Sequence, residues 1–203
     1  MEWYQFKGLY LAVDLAVLAL PLILSFDKNV QFYKHWKHFF LTNLGVGGFF
    51  ILWDALFSEM GVWAFNPDYL LGPELLGLPL EEWLFFFCIP YASVFTYFSL
   101  KHYVKRNPLI HADTTLNFAA ILTCAGLIIA YFPRYYITLT SFYALVWLVW
   151  ATRNSKSFMA DLWLAYFVLL PPFIISNGVL TGLSFWEFPL LHHSAENILD
   201  QIV

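Results

Sequence analysis

Six apolar runs, at residues 8–26, 39–57, 81–103, 115–132, 135–151 and 158–180, divide this chain into nearly equal lengths joined by short polar connections. Each run is close to the ~20 residues that a helix needs to cross the hydrocarbon core of a bilayer. No water is available there, so a spanning segment must satisfy its own N–H and C=O groups, and a helix does so. The pattern therefore predicts an all-α integral membrane protein with about six transmembrane helices. Composition agrees, since 61% of the 203 residues are hydrophobic and 12% are charged, about half the charged share of a soluble domain. The expected surroundings are the lipid bilayer, and no nucleic-acid partner is expected.

Several local features refine this picture. Pro21, Pro90 and the pair Pro171 and Pro172 fall inside runs and predict kinks that neighbouring helices accommodate. The N-terminal "MEWYQFK" is not the basic n-region of a cleavable signal, so the first run is expected to be retained as a helix. Cys88 and Cys124 both lie in apolar runs, which disfavours a disulfide framework. The longest polar connection, "SEMGVWAFNPDYLLGPELLGLP", reads as an ordered interfacial loop.

Lysine and arginine set the orientation. Lys28, Lys34 and Lys37 occupy the first connection, Lys101, Lys105 and Arg106 the third, and Arg153 and Lys156 the fifth, against Lys7 and Arg134 on the other side. The positive-inside rule then places the basic loops in the cytoplasm and both termini outside. On the outer face, "GLPLEEWLFFFCIP" sets Glu81 and Glu82 at the mouth of the third run. Ionisable groups beside hydrocarbon are functional candidates by default. The competing explanation is structural, because acids in a first helical turn favour the positive end of the helix dipole. Neighbouring helix residues also diverge by about 100°, so the two glutamates do not face one cavity squarely.

An internal repeat is also legible. The second run ends "ILWDALFSEMGVWAF" and the sixth ends "IISNGVLTGLSFWEF". Asp54 precedes Trp63 by nine residues, as Asn177 precedes Trp186, and both helix pairs are joined by a short basic loop. The sequence divides into a first repeat over 1–105, a spacer helix over 106–134 and a second repeat over 135–203. This makes a parallel repeat about an axis along the membrane normal. The counterpart of Glu81 would fall just past Val203, so the second repeat is expected to lack its last helix.

At this point "WDALFSEMGVWAFNPDYLLG" and "LPLEEWLFFFCIPYA" resemble the lycopene cyclase domain of the small membrane-integral carotenoid cyclases, single or heterodimeric in bacteria and fused to phytoene synthase in fungi. "FIISNGVLTG" and "AENIL" look like parts of that family's second repeat. The resemblance implies a bacterial-type cell-membrane enzyme of carotenoid biosynthesis, an isomerase or intramolecular lyase. Such an enzyme closes the linear ends of lycopene, or a related linear carotenoid, into ionone rings without net redox change. It also implies a possible second cyclase subunit or a homo-oligomer.

That chemistry asks for a strong acid, a nearby base and a dry cavity. A carboxyl in an apolar site beside a second carboxylate splits into acid and base roles by environment. Glu81, Glu82 and Asp54 are the catalytic candidates, Asp54 because a helix C-terminus disfavours its charge. Trp83, Trp63 and Phe86 are candidates for stabilising a cation through their ring faces, although an aromatic interfacial belt explains such residues as well. Asn66 in "FNP" is either a turn former or a residue that orients a carboxyl. Asp14 lies mid-run and reads as packing glue paired with a residue such as Asn43, outside the catalytic set. His35 and His38 sit among lysines, and His192 and His193 lack supporting ligands, so no metal is expected. No nucleotide-binding glycine motif occurs, so no cofactor is expected. The competing functions are a non-catalytic or partner-dependent cyclase subunit and a parallel-repeat small-molecule transporter. A retinal photoreceptor is disfavoured because no lysine lies mid-run.

Overall fold

The computed structural model describes residues 7–62, 64–154, 156–182 and 186–187. Six helices follow in chain order: α1 (Leu9–Leu24), α2 (Trp36–Glu59), α3 (Leu80–Tyr103), α4 (Asp113–Tyr131), α5 (Tyr135–Asn154) and α6 (Lys156–Gly182). They coincide with the six apolar runs to within three residues at every end, and the protein is an all-α membrane protein. Among the described residues, the stretches Phe32–Glu59, Leu80–Tyr103, Asp113–Tyr131 and Phe158–Ser176 are long and apolar enough to cross a bilayer. The 16 residues of α1 span about 24 Å at ~1.5 Å per residue, shorter than a core of about 30 Å. In α5, Tyr135, Tyr136, Thr138, Thr140 and Ser141 dilute the apolar run.

Helix α3 packs against α1, α2 and α6, whereas α4 packs against α5 and α6. Pro90 explains part of the α2–α3 contact. It has no N–H, so the carbonyl of Phe86, four residues earlier, loses its helical donor. The Asn43 side chain on α2 supplies one instead, with Nδ2 donating to the Phe86 carbonyl at 3.2 Å. Gly47 leaves room for the donating amide, since a Cβ there would lie a tight 3.3 Å from Asn43 Nδ2. In lipid, small residues at crossings and side-chain amides between helices serve this purpose.

Toward the basic-loop side, Phe32, Phe39, Tyr91 and Phe95 form a buried aromatic cluster. The Tyr91 hydroxyl is satisfied there by the Trp36 indole N–H at 2.8 Å and by Ser25 Oγ at 2.6 Å. The α4–α6 contact is held by the Trp163 indole N–H donating to Asn117 Oδ1 at 2.7 Å. After α1, Asp27 Oδ1 accepts the backbone N–H groups of Asn29 and Val30 and the Tyr103 hydroxyl. These donors hold the Asp27 carboxyl below its ordinary value of 3.8.

The connection between α2 and α3 is packed and carries short strands that hydropathy did not signal. Strand β1 (Ala64–Phe65) is followed by a 3-10 turn at Pro67–Tyr69 and by a hairpin of β2 (Glu74–Leu75) and β3 (Leu78–Pro79). Leu76 and Gly77 both have positive φ, 55° and 73°, as a two-residue hairpin turn of the primed type requires. Strand β4 (Trp186–Glu187) pairs antiparallel with β1, Ala64 opposite Glu187 and Phe65 opposite Trp186.

Two outcomes are expected. Asn43→Ala leaves the Phe86 carbonyl without its donor, which costs about 1–3 kcal/mol and lowers the unfolding midpoint of the detergent-solubilised protein. For Asp27, a lowered folded pKa means that the loop's contribution to stability is present above the ordinary carboxyl value and lost as pH falls through the lower folded value. Asp27→Asn should accordingly speed hydrogen exchange at Asn29 and Val30 at neutral pH, where the parent loop is protected.

Candidate active site

The two glutamates open α3 directly after the β2–β3 hairpin, with Pro79 as the residue before the helix. Both are buried, Glu81 at 1% and Glu82 at 4% exposure. As the helical geometry requires, they point apart. Glu82 turns toward α1, where the Tyr10 hydroxyl donates to Glu82 Oε2 at 2.5 Å. Glu81 turns toward the α2–α3 connection, where the Leu71 backbone N–H donates to Glu81 Oε1 at 2.6 Å. Glu81 Oε2 is buried with no hydrogen-bond partner among the described residues.

Two helices bring further acids to this end of the molecule. Asp54, near the end of α2, is 7% exposed and lies within electrostatic range of Tyr10 and Tyr136. Asp14 on α1 is 1% exposed and within electrostatic range of Glu81, Tyr10 and Cys88. Tyr10 thus bonds one carboxylate and stands near two more. Its ring closes the site with Tyr69 and Leu70, and Phe65 and Phe85 pack against that cluster. The Gly8 N–H donates to the Tyr69 carbonyl at 3.0 Å, tying the start of α1 to the connection above it. Gly8 has φ 87° and a Cβ there would sit 3.1 Å from Leu71, so this closure relies on glycine.

The structure therefore gathers Glu81, Glu82 and Asp54 and adds Tyr10 and Asp14. Asp14 does not pair with Asn43, whose amide serves Phe86. Two sequence signals were available: a mid-span acid is costly in lipid, and Tyr10 and Asp14 are four residues apart, on one face of a helix.

The other expected site residues are placed as follows. Trp83 is half-buried and its indole N–H donates to the Leu75 carbonyl at 3.1 Å, which pins the hairpin to α3. Asn66 Oδ1 accepts the Asp68 N–H at 3.0 Å and begins the 3-10 turn. Phe86 stands edge-on to Phe85, centroids 5.6 Å apart. Trp63 lies outside the described residues, as do His192 and His193. Among the described residues no group of three His, Cys, Asp or Glu side chains could hold a metal ion.

A helical membrane protein with a knot of buried carboxyls at one end of its central helix is thereby defined. Residues 7–100 match the family described as lycopene cyclase. The chain is similar to bifunctional lycopene cyclase/phytoene synthases of three fungi. That of Neurospora crassa is 43% identical over 61 residues, 30% of this chain and 9% of the relative. That of Colletotrichum graminicola is 41% identical over 64 residues, 31% and 10%. That of Phaeosphaeria nodorum is 33% identical over 90 residues, 44% and 14%. The matches thus span about a tenth of each relative's length. No solved structure matches the chain.

The Tyr10–Glu82 bond links the first and third helices inside the site. Tyr10→Phe removes the donor and leaves a buried carboxyl oxygen to be resolvated, at a cost of about 1–3 kcal/mol. A lowered unfolding midpoint in detergent, with the Asn66→Ala variant affected less, is the expected result.

Proposed function

We propose that this chain is a carotenoid cyclase, an intramolecular lyase or isomerase that closes linear end groups of lycopene or a related carotenoid into ionone rings. The observation that carries this reading is the burial of Glu81, Glu82 and Asp54 at one end of an apolar bundle, over the same residues that match the lycopene cyclase family. Ring closure needs no electron transfer. A proton adds to the terminal double bond, the resulting tertiary cation is attacked by an internal double bond, and a ring proton leaves to restore the alkene. A carboxyl must give the first proton and a carboxylate must take the last. In a site closed to water both groups act more strongly than in solution.

Tyr10 and the Leu71 N–H suit Glu82 and Glu81 to the accepting role, since each supplies a donor to a carboxylate oxygen. Asp54 completes the set from α2. Aromatic faces at Phe85 and Phe86, with Trp83 and Trp63 nearby in sequence, favour a developing cation. The substrate enters from the lipid, and the basic loops face the cytoplasm with both termini outside. A second cyclase subunit or another copy of the chain is the partner that this family resemblance suggests.

The division into repeats over 1–105 and 135–203, with a spacer over 106–134, draws support from the β1–β4 pairing. Ala64 and Glu187, which the repeat aligns, lie directly opposite each other in antiparallel strands. A two-fold axis along the membrane normal would place them so.

The test is expression of the chain in a bacterium that accumulates lycopene, followed by chromatography of the pigments, alone and beside a second cyclase subunit. Monocyclic or bicyclic carotene is the expected product. Glu81→Gln and Glu82→Gln should differ in severity, and at least one should abolish ring formation, a loss of about 100-fold or more for a proton-transfer group. Full yield from both single variants overturns the assignment.

A further inference from the structure

Asp14 is as enclosed as Glu81, each at 1% exposure, and differs from it in its hydrogen bonding. Neither of its carboxyl oxygens has a hydrogen-bond partner among the described residues, at 1% exposure of the side chain. Glu81 and Glu82, by contrast, each receive a donor. A carboxylate is acceptor-only and calls for donors, whereas a protonated carboxyl carries its own O–H, so the three groups are built for different work. An ion left bare in apolar surroundings is far costlier than a neutral group.

The position of Asp14 is as informative. It lies one helical turn beyond Tyr10, whose hydroxyl bonds Glu82. Three residues further along α1, on the same face, Val17 lines an apolar groove with Ile89 on α3 and Leu169 and Phe173 on α6. That groove has a volume of about 280 Å³. A second crevice of about 770 Å³ between α3, α5 and α6 shares its Ser93, Tyr166 and Leu169 walls. Together the two form an apolar course along α3, from the level of Ile89 to that of Tyr97 and Phe98. At ~1.5 Å per residue these levels are about 12 Å apart. Along α1, Asp14 falls between Tyr10, which bonds Glu82, and Val17, which lines the groove.

We propose that Asp14 is the initiating acid: a linear polyene lies along the α3–α6 groove with its end group at Asp14, which gives the first proton, while Glu81 or Glu82 receives the last. This rests on the cyclase reading above and assigns roles within it. In the step itself the Asp14 O–H bond breaks and a C–H bond forms at the terminal alkene carbon, leaving the tertiary cation. The internal alkene supplies the electron pair for the new ring bond. A glutamate carboxylate then takes the proton from the ring carbon whose electrons reform a double bond. Asp14 ends as carboxylate and the glutamate as acid, and return of that proton to Asp14 resets the site. Substrate and product are isomers, so no oxidant or reductant is consumed.

Two measurements on the full chain in membranes decide it. In lycopene-accumulating cells, Asp14→Asn should lower ring products about 100-fold or more at parental protein level, and Asp14→Glu should restore a measurable part. Separately, a hydrophobic carbodiimide, which attacks neutral carboxyls in apolar surroundings, should modify Asp14 in vesicles, and lycopene in the same vesicles should slow that modification. Peptide mapping reads the site without relying on turnover, or on Asp14→Asn reaching the membrane. A parent chain that forms no rings, even beside a second cyclase subunit, overturns the cyclase reading. An active parent whose Asp14→Asn variant keeps full yield overturns only the role of Asp14. An Asp14 that the carbodiimide leaves untouched, or modifies equally fast with lycopene present, overturns it too.

Discussion

The Tyr10–Glu82 hydrogen bond and the Asn43–Phe86 bond fix α3 against two of its neighbours, α1 and α2, and the remainder of the site depends on where α3 stands. In hydrocarbon there is little apolar driving force between helices, because lipid tails are as apolar as leucine. Contacts that need a polar partner therefore choose the arrangement. Pro90 creates one such need by removing the donor for Phe86, and the answer comes from α2. Glu82 creates another, answered from α1. A helix whose own ladder is interrupted at Pro90 is thus the one to which α1 and α2 are tied.

Those ties also set the chemistry. With α1 and α2 fixed on α3, Asp14, Asp54, Glu81 and Glu82 arrive at one end of the bundle from three different helices. Glu81 and Glu82 are each given a donor, which offsets part of the cost of burying them. Tyr10 carries much of this arrangement. It supplies a proton to one carboxylate and apolar ring surface to the wall beside it, as a buried tyrosine can do at once.

The helices were legible because hydropathy is a local property: a run of about twenty apolar residues has few other fates in lipid. Glu81 and Glu82 were legible for the same reason, as acids in an apolar setting, and their divergence followed from the helical period. Asp14 was visible as a costly residue, yet its setting depended on which face of α1 meets α3, and periodicity does not report this when a helix is apolar all round. Trp83 illustrates the reverse. Its place beside two acids drew attention, but its indole N–H finds the Leu75 carbonyl, eight residues back, because a two-residue turn at Leu76 and Gly77 folds that carbonyl within reach. Short strands in a membrane loop leave no hydropathy signal, and both the hairpin and the β1–β4 pair went unforeseen.

The two glutamates are adjacent in sequence and yet serve different parts of the fold. Side chains about 100° apart on a helix reach different neighbours, and here one reaches α1 and the other the α2–α3 connection. Adjacent acids on one helix thus tie two separate elements to the same helical turn, holding both carboxyls at one depth while aiming them apart. A pair spaced four residues apart would share one face and bring like charges together, at a cost in stability. Adjacency keeps the charges at an angle. Asp14, one turn along α1 from the tyrosine that bonds Glu82, brings a further buried acid to the same end from another helix.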